Sequence, residues 1–504
     1  MPQRVLPATK AWPLFDVATA RAIEAHELQR HTPGLLMQRA GLAVARWALA
    51  LTPHARSVWV AAGPGGNGGD GLHAAADLAG RGLNVVVTLC AEVEHLPPDA
   101  RTGLHRAQAA GASVIDTVPA RAFDLGIDAL LGLGASRAPS GRMAAAITAL
   151  NAMDAPRLAV DLPSGLSADT GALLGDVAVA ATSTLALLTL KPGLFTAMGR
   201  DHAGSLWFDD LGAQASDASP AARLTAAPDA DAVIGPRQHA QHKGSFGDVI
   251  VVGGAPGMVG AARLAAHGAL GAGAGRTWVS LLDSDAPMGD VTRPEWLWTA
   301  AAWLPGRADL EHATVVCGCG GGDAVRTVLP ALLFRSARLV LDADALNAIA
   351  TDPALLTMLQ ARSARGRATI LTPHPLEAAR LLGSSTPAVQ ADRLAAARTL
   401  VTRTGAIVVL KGSGTVIAGP DRTPAINSTG NAALASGGTG DVLAGWVGGL
   451  WSQMAAHVES PHDTAWRCAA ASVWRHGAAA DAAASVVLHA RDLVDAMRAV
   501  RSAP

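Results

Sequence analysis

The chain has 504 residues, half of them hydrophobic and 16% charged, with a formal net charge of −1. At about 150 residues per domain this length suits two large domains or three ordinary ones, and so apolar a composition excludes a disordered chain. The charge balance excludes the basic surplus that points to nucleic acid or an anionic membrane surface.

Residues 1–13 carry charges without an apolar run, so no signal peptide is expected. The longest strongly apolar uncharged run, residues 177–190, is too short to span a bilayer. A soluble, cytoplasmic chain with no membrane partner is therefore expected. The cysteines, Cys90, Cys317, Cys319 and Cys468, are too few and scattered for a disulfide framework. Cys317-Gly-Cys319 has no second pair at zinc spacing. Among the cationic residues only Lys10, Lys191, Lys243 and Lys411 are lysines. Lysine and arginine are not interchangeable at a tight anion site, so each surviving lysine is informative.

In the first block a short buried strand is expected at residues 58–62. The glycine-rich segment Gly63-Pro-Gly-Gly-Asn67-Gly-Gly-Asp70-Gly71 then leads into a helix over residues 70–79 and a strand over 84–89. Such a β-α-β unit implies a parallel sheet. A strand near 127–131, a helix near 143–153 and a strand at 158–162 follow. Residues 212–232, rich in Ala, Ser, Asp and Pro, read as a linker. A second block starts at Asp248-Val-Ile-Val-Val, with further strands near 277–282, 313–317, 338–342, 368–372 and 406–410. Two α/β domains are expected, residues 1–220 and 230–504.

The glycine segment has two readings: a loop that lets the backbone and a helix N-terminus face an anion, or a tight turn with Asp70 capping the helix. Asp128-Ala-Leu-Leu-Gly132-Leu-Gly134 and Asp161-Leu-Pro-Ser164-Gly165 each place a carboxylate at the end of an apolar strand. In a parallel sheet such ends converge on one edge, where ligands bind. Asn67, Asp128 and Ser164 offer only oxygen ligands, which suits a hard cation better than zinc. Asp161 remains as a candidate acid/base group.

In the second block, Asn427-Ser-Thr-Gly430-Asn431 precedes Ser436-Gly-Gly438-Thr439-Gly440-Asp441. Successive glycines at a helix start free several N–H groups for a phosphoryl group. Asp441 there either accepts a proton from a hydroxyl attacking phosphorus or serves only as a macrodipole partner. The chain has no Gly-Lys dipeptide, which excludes a Walker A loop. Lys411-Gly-Ser-Gly-Thr415 is a candidate nucleotide contact after a strand, and Thr372-Pro-His374-Pro-Leu-Glu377 ends another. Asp342 and Asp344 either support magnesium indirectly or cap a helix.

The first-block motifs resemble the NAD(P)H-hydrate epimerase family, with its Gly-Pro-Gly-Asn-Asn-Gly-Gly-Asp-Gly loop, Asp-x-Leu-x-Gly-x-Gly segment and Asp-Leu/Ile-Pro-Ser-Gly. Leu36-Met-Gln-Arg-Ala-Gly41 and Leu190-Lys191-Pro-Gly193 are also similar to that family, and the likeness spans about residues 15–210. It implies a Rossmann-like αβα domain with a potassium ion held by Asn67, Asp128 and Ser164. It also implies that Gly66, Asn67, Gly68, Gly69, Asp70, Gly132, Leu133, Gly134, Ala135, Ser136, Arg137, Ala138 and Asp161 contact the hydrated dinucleotide. Asp161 would be the proton-transfer residue. Gly66 stands where the family has its first Asn.

The second block resembles the ADP-dependent NAD(P)H-hydrate dehydratase family, a branch of the ribokinase-like αβα fold. The matching segments are His242-Lys243-Gly244-Ser-Phe-Gly247, Gly253-Gly-Ala-Pro-Gly257-Met-Val-Gly260-Ala261-Ala262, residues 341–347, 371–377 and 409–415, and residues 427–445. This likeness implies that Ala261, Gly320, His374 and Asp441 meet the hydrate. Lys411, Gly412, Ser413, Gly414, Thr415 and Gly440 would bind the adenine nucleotide, with magnesium neutralising its charge. Phe246 replaces the usual Tyr, and Cys317-Gly-Cys319-Gly-Gly-Gly322 stands where the family has Gly-Pro-Gly-Leu-Gly.

Together the resemblances imply a bifunctional repair enzyme, expected as a homo-oligomer. Its first domain would interconvert the R and S hydrates, NAD(P)HX. Its second would phosphorylate the S hydrate with ADP, Asp441 acting as base, and release NAD(P)H, AMP and phosphate. The competing readings are a small-molecule kinase of the same fold and a non-catalytic dinucleotide-binding first domain.

Overall fold

The structure, a computed structural model of the chain, describes residues 2–213, 218–233, 235–454, 460–483 and 487–500. It divides into two units, Met1–Pro7 with Trp12–Ala222 and Ala8–Ala11 with Arg223–Pro504. Residues 214–217 of the expected linker lie outside the described residues.

The first unit is built on an eight-stranded sheet in the order Gln3–Arg4, Ser205–Asp209, Ser183–Leu187, Arg157–Val160, Leu125–Ala129, Ser57–Ala62, Asn84–Leu89, Ser113–Ile115. Every pairing is parallel except that of Gln3–Arg4. Alternate side chains of a strand point to opposite faces. Val58, Val60 and Ala62 accordingly share one core with helices Leu35–Leu51 and Gly66–Ala79, while Trp59 and Ala61 share another with helix Gly141–Asn151. A parallel sheet apolar on both faces must be covered on both, which gives three layers. From Ser57–Ala62 the chain first builds the strands on one side, then crosses to Leu125–Ala129 and builds the other. The strand order reverses there, and a crevice opens at the C-terminal strand ends.

The expected strands stand within two residues of their places. The helix expected over 70–79 does not: it runs Gly66–Ala79, with Gly65 at its N-cap position. Four glycine-rich residues read as loop are its first turn. Packing overrides glycine's poor helix propensity here. A Cβ on Gly68 would lie 2.0 Å from the Gly63 carbonyl oxygen, and one on Gly71 2.4 Å from the Ala129 Cβ. The glycines let the helix lie directly on the sheet. Asp70 consequently sits beyond the first turn and caps nothing.

In the second unit the sheet runs Leu297–Trp298, Arg276–Leu281, Asp248–Gly253, Thr314–Cys317, Arg338–Leu341, Thr369–Leu371, Ile407–Leu410, Val416–Ala418, Ala425–Ile426, Ala222–Leu224. Val416–Ala418 is antiparallel to both neighbours and the other pairings are parallel. Val249 and Val251 join the core made with helices Val259–Gly271, Thr439–Gln453 and Pro461–Ala482, and Ile250 and Val252 on the other face are buried too. The order reverses between Asp248–Gly253 and Thr314–Cys317, again opening the C-terminal ends. No helix of the described residues is long and apolar enough to cross a membrane.

Candidate active sites

In the first unit a cavity of about 510 Å³ occupies the crevice. Four strand ends line it: Pro64 to Asn67 with Asp70, Leu130 to Ala135, Asp161, and Leu187 with Leu188. Helix Val17–Arg30 adds Arg21 and Glu24. Asp161, the residue after strand Arg157–Val160, has φ +69°, and Leu188 has φ +63°. Non-glycine residues seldom occupy this left-handed region, and such strain persists only where the surroundings enforce it. They do: the Asp161 amide donates to the Leu185 carbonyl at 2.8 Å. Asp161 Oδ1 accepts from the Leu187 amide at 3.1 Å and from the ammonium of fully buried Lys191. Lys191 also donates to the Leu187 carbonyl at 2.8 Å.

Asp70 and Glu24 are arranged differently. Neither side chain has a hydrogen-bond partner among the described residues. Burial, followed by the charges of Asp161 and Glu24, pushes the Asp70 carboxyl well above the usual carboxylate range. Burial and then Asp161 raise Glu24 as well.

Beside the cavity, Asp128 is fully buried at the end of strand Leu125–Ala129. It accepts from the Ser164 hydroxyl at 2.6 Å, the Ser164 amide at 2.8 Å and the Leu130 amide at 3.2 Å. Asn67 donates to the Leu131 carbonyl at 3.0 Å, which brings the three expected cation ligands into one oxygen-rich corner. Burial raises Asp128 to about 6 even against the three hydrogen bonds, and no cationic side chain is among the causes.

In the second unit the strand ends again deliver the chemistry. Asp342 directly follows strand Arg338–Leu341 and accepts from Lys411 Nζ at 2.8 Å and from the Thr372 hydroxyl at 2.7 Å. Its other oxygen lies 3.9 Å from the Cys319 sulfur. Asp441, in the first turn of helix Thr439–Gln453, completes the cluster: ligand atoms of Cys319, Asp342 and Asp441 all lie within 4.8 Å of one another. Burial, then the charge of Asp342, pushes Asp441 up to about 7, against a Cys319 hydrogen bond and the charge of Lys411. Burial works against the Lys411 charge too, but Asp342 and Glu377 outweigh it and raise its pKa.

The surrounding residues are drawn to the same place. A Cβ on Gly440 would lie 3.3 Å from Lys411 Nζ, and one on Gly320 would lie 2.9 Å from the Ala261 Cβ. His374 Nδ1 accepts from the Leu376 and Glu377 amides and caps helix Pro375–Leu382, leaving its half-exposed ring at the strand end. Two readings are corrected. Asp342 makes no side-chain cap bond to helix Ala343–Thr351. Asp344 accepts instead from the Gly322 amide at 2.9 Å and so holds the glycine turn after strand Thr314–Cys317.

Two family models match: YjeF-related protein N-terminus over residues 34–193, and NAD(P)H-hydrate dehydratase over residues 249–499. The bifunctional NAD(P)H-hydrate repair enzyme Nnr of Escherichia coli (strain K12) is 38% identical over 459 residues, 89% of this chain and 85% of that protein. The chain belongs to the bifunctional NAD(P)H-hydrate repair enzyme family. The bifunctional NAD(P)H-hydrate repair enzyme of Leishmania braziliensis is 37% identical, with the same shares covered. A crystal structure of ADP/ATP-dependent NAD(P)H-hydrate dehydratase from Bacillus subtilis is 29% identical, covering 53% of this chain and 93% of that one, with a TM-score of 0.44.

Within the family motifs the residues divide by position. Gly66, Asn67, Asp70, Gly132, Leu133, Gly134, Ala135 and Asp161 line the first cavity. Gly68 and Gly69 do not, because they face the Gly63 backbone and the Met37 sulfur. Ser136, Arg137 and Ala138 continue past it as an exposed segment. In the second unit, Arg393 is buried and donates to the carbonyls of Leu410 and Lys411, both at 3.1 Å, so it fixes the start of the 411–415 segment. Sequence reasoning missed Arg21, Glu24 and Arg393, which lie on helices outside any motif. Lys191 carried a signal, as one of four lysines and inside a motif, but not a role.

Proposed function

We propose that the chain repairs hydrated NADH and NADPH in two steps, epimerisation in residues 1–220 and ADP-dependent dehydration in residues 230–504. Family membership supports this reading, and so does the presence of a strand-end site in each unit. In the first, the dinucleotide lies along Gly66, Asn67, Asp70 and residues 132–138 with its hydrated ring at Asp161, the proton-transfer group. A potassium ion fits the corner made by Asn67, Asp128 and Ser164. The donors are all oxygens, and Asp128 is a buried carboxylate with no cationic partner among the described residues. Such an ion would fix the 130–135 loop and keep Asp128 ionised.

In the second, the nucleotide binds at Lys411, Gly412, Ser413, Gly414, Thr415 and Gly440, and the S hydrate at Ala261, Gly320, His374 and Asp441. The position of Asp441 carries this step: a carboxylate raised to about 7 at a helix N-terminus, beside a buried Lys–Asp pair. Asp441 takes the proton of the hydrate's hydroxyl as that oxygen attacks the terminal phosphorus of ADP, and the bond to AMP breaks. The bond from the ring carbon to the phosphorylated oxygen then breaks, inorganic phosphate leaves with the bonding pair, and the neighbouring ring carbon gives up its proton to solvent, which restores the double bond. Phosphate leaves far more readily than hydroxide. Asp342 is engaged by Lys411 and Thr372, and Asp344 by Gly322, so neither carboxylate is set aside for magnesium. Magnesium would be held chiefly by the nucleotide's phosphates, whose charge it neutralises.

The S hydrate alone tests this step. With ADP it should yield AMP and reduced cofactor one for one, and AMP formed without reduced cofactor would sink the assignment.

A further inference from the structure

The first cavity holds two carboxyl groups in opposite situations. Asp161 is clamped at Oδ1 by the Lys191 ammonium and the Leu187 amide. Asp70 lines the same cavity from helix Gly66–Ala79, its carboxyl group with no hydrogen-bond partner among the described residues and no cation paired to it. The charged groups facing it are Glu24 and Asp161, which repel its ionised form, and Lys191, whose opposing effect is the smallest. Arg21 and Asp99 complete the titratable lining. A carboxyl without a partner beside one held in an ion pair lets a single site supply both an acid and a base.

The substrate's chemistry calls for both. Water adds across the enamine double bond of a dihydronicotinamide ring with its hydroxyl on the carbon next to the ring nitrogen. Inverting that carbon requires the hydroxyl to leave and water to return on the other face.

We propose that Asp70 is a second catalytic residue of the epimerase site, the proton donor to the departing hydroxyl, and that Asp161 is the base for the returning water. The inference rests on the epimerase reading above. The Asp70 proton passes to the hydroxyl oxygen, the carbon–oxygen bond breaks, and the ring-nitrogen lone pair forms an iminium ion with release of water. Water then adds to the opposite face, its oxygen bonding to carbon and its proton passing to Asp161. As that bond forms, the π pair of the iminium returns to the ring nitrogen and restores the amine, and proton exchange with solvent resets the two carboxyls. No oxidant or reductant enters.

The test uses the full chain and purified R hydrate, in water enriched in oxygen-18. Wild type should convert R to S with one solvent oxygen in each inverted molecule. Asp70→Asn should lower kcat for inversion and for oxygen exchange together by about a hundredfold or more. Its KM should stay within a few-fold, and its rate on the S hydrate with ADP should be unchanged. The wild-type inversion rate should also fall at high pH as Asp70 loses its proton, a limb absent from the variant. Inversion without oxygen exchange in the wild type, which needs no variant to fold, overturns the proposal. So does an Asp70→Asn chain that inverts at the wild-type rate. A wild type that leaves the R hydrate untouched overturns the epimerase reading itself.

Discussion

The Lys191 ammonium, fully buried, donates to the same Asp161 oxygen that accepts from the Leu187 amide, and Asp161 holds its carboxyl there from a left-handed backbone. Removing one partner of a buried pair leaves the other charge uncompensated, at a cost of about 3–5 kcal/mol. Lys191→Met is therefore expected to destabilise the first unit by that order and to abolish R-hydrate turnover. Dehydration of the S hydrate should survive. Denaturant melts read alongside the two separate assays check it, and a stable variant with full epimerase activity would remove the pair from the mechanism.

Asp441 gives a pH dependence of definite sign. A base works only when ionised, so kcat/KM for the S hydrate should rise about tenfold per pH unit up to about 7 and level off above it. Asp441→Asn should remove turnover. The same raised pKa has a stability consequence. Between the ordinary carboxylate range and about 7 the folded chain keeps a proton that the unfolded chain releases, so this group's contribution to stability falls as pH rises through that window. Asp441→Asn should then be more stable than wild type at pH 8, by roughly 2–4 kcal/mol, with the gain vanishing below the ordinary carboxylate range. Urea titrations at both ends of the window measure it.

Gly66 and Gly68 separate a cavity-facing glycine from a packing glycine. A Cβ on Gly66 meets nothing within 4 Å, whereas one on Gly68 would lie 2.0 Å from a backbone oxygen. Gly66→Asn, the residue of the resembled motif, should fold with a stability change within about 0.5 kcal/mol and keep epimerase activity. Gly68→Ala should cost several times more, about 1–3 kcal/mol, because backbone must shift. Thermal melts of the two variants decide between these outcomes.

Potassium should raise the melting temperature of the wild-type chain through selective binding to the folded state, and its removal should slow R-hydrate conversion. Asp128→Asn should lose both responses while retaining S-hydrate dehydration. An equal potassium response in wild type and variant would place the ion elsewhere.

Much of this was legible in the residues. Val- and Ile-rich strands such as Asp248–Gly253 announce themselves because a parallel sheet is buried on both faces. The acids at strand ends, Asp128, Asp161 and Asp342, follow from the same geometry. The start of helix Gly66–Ala79 was not legible, since glycine's local preference points away from helix and only tertiary packing reverses it. Nor was the placing of Glu24 and Arg393, whose roles depend on which helix face meets which strand end. Cys319 read as a departure from a motif, and the fold sets its thiol between two carboxylates.

The most direct measurement of the two-step reading is a fast time course with ADP and a mixture of R and S hydrates, following the absorbance of the reduced cofactor. The expected result is complete recovery, with one AMP and one phosphate per molecule regenerated. Recovery that stops at the S fraction contradicts the epimerase half, and no recovery at all contradicts the dehydratase half.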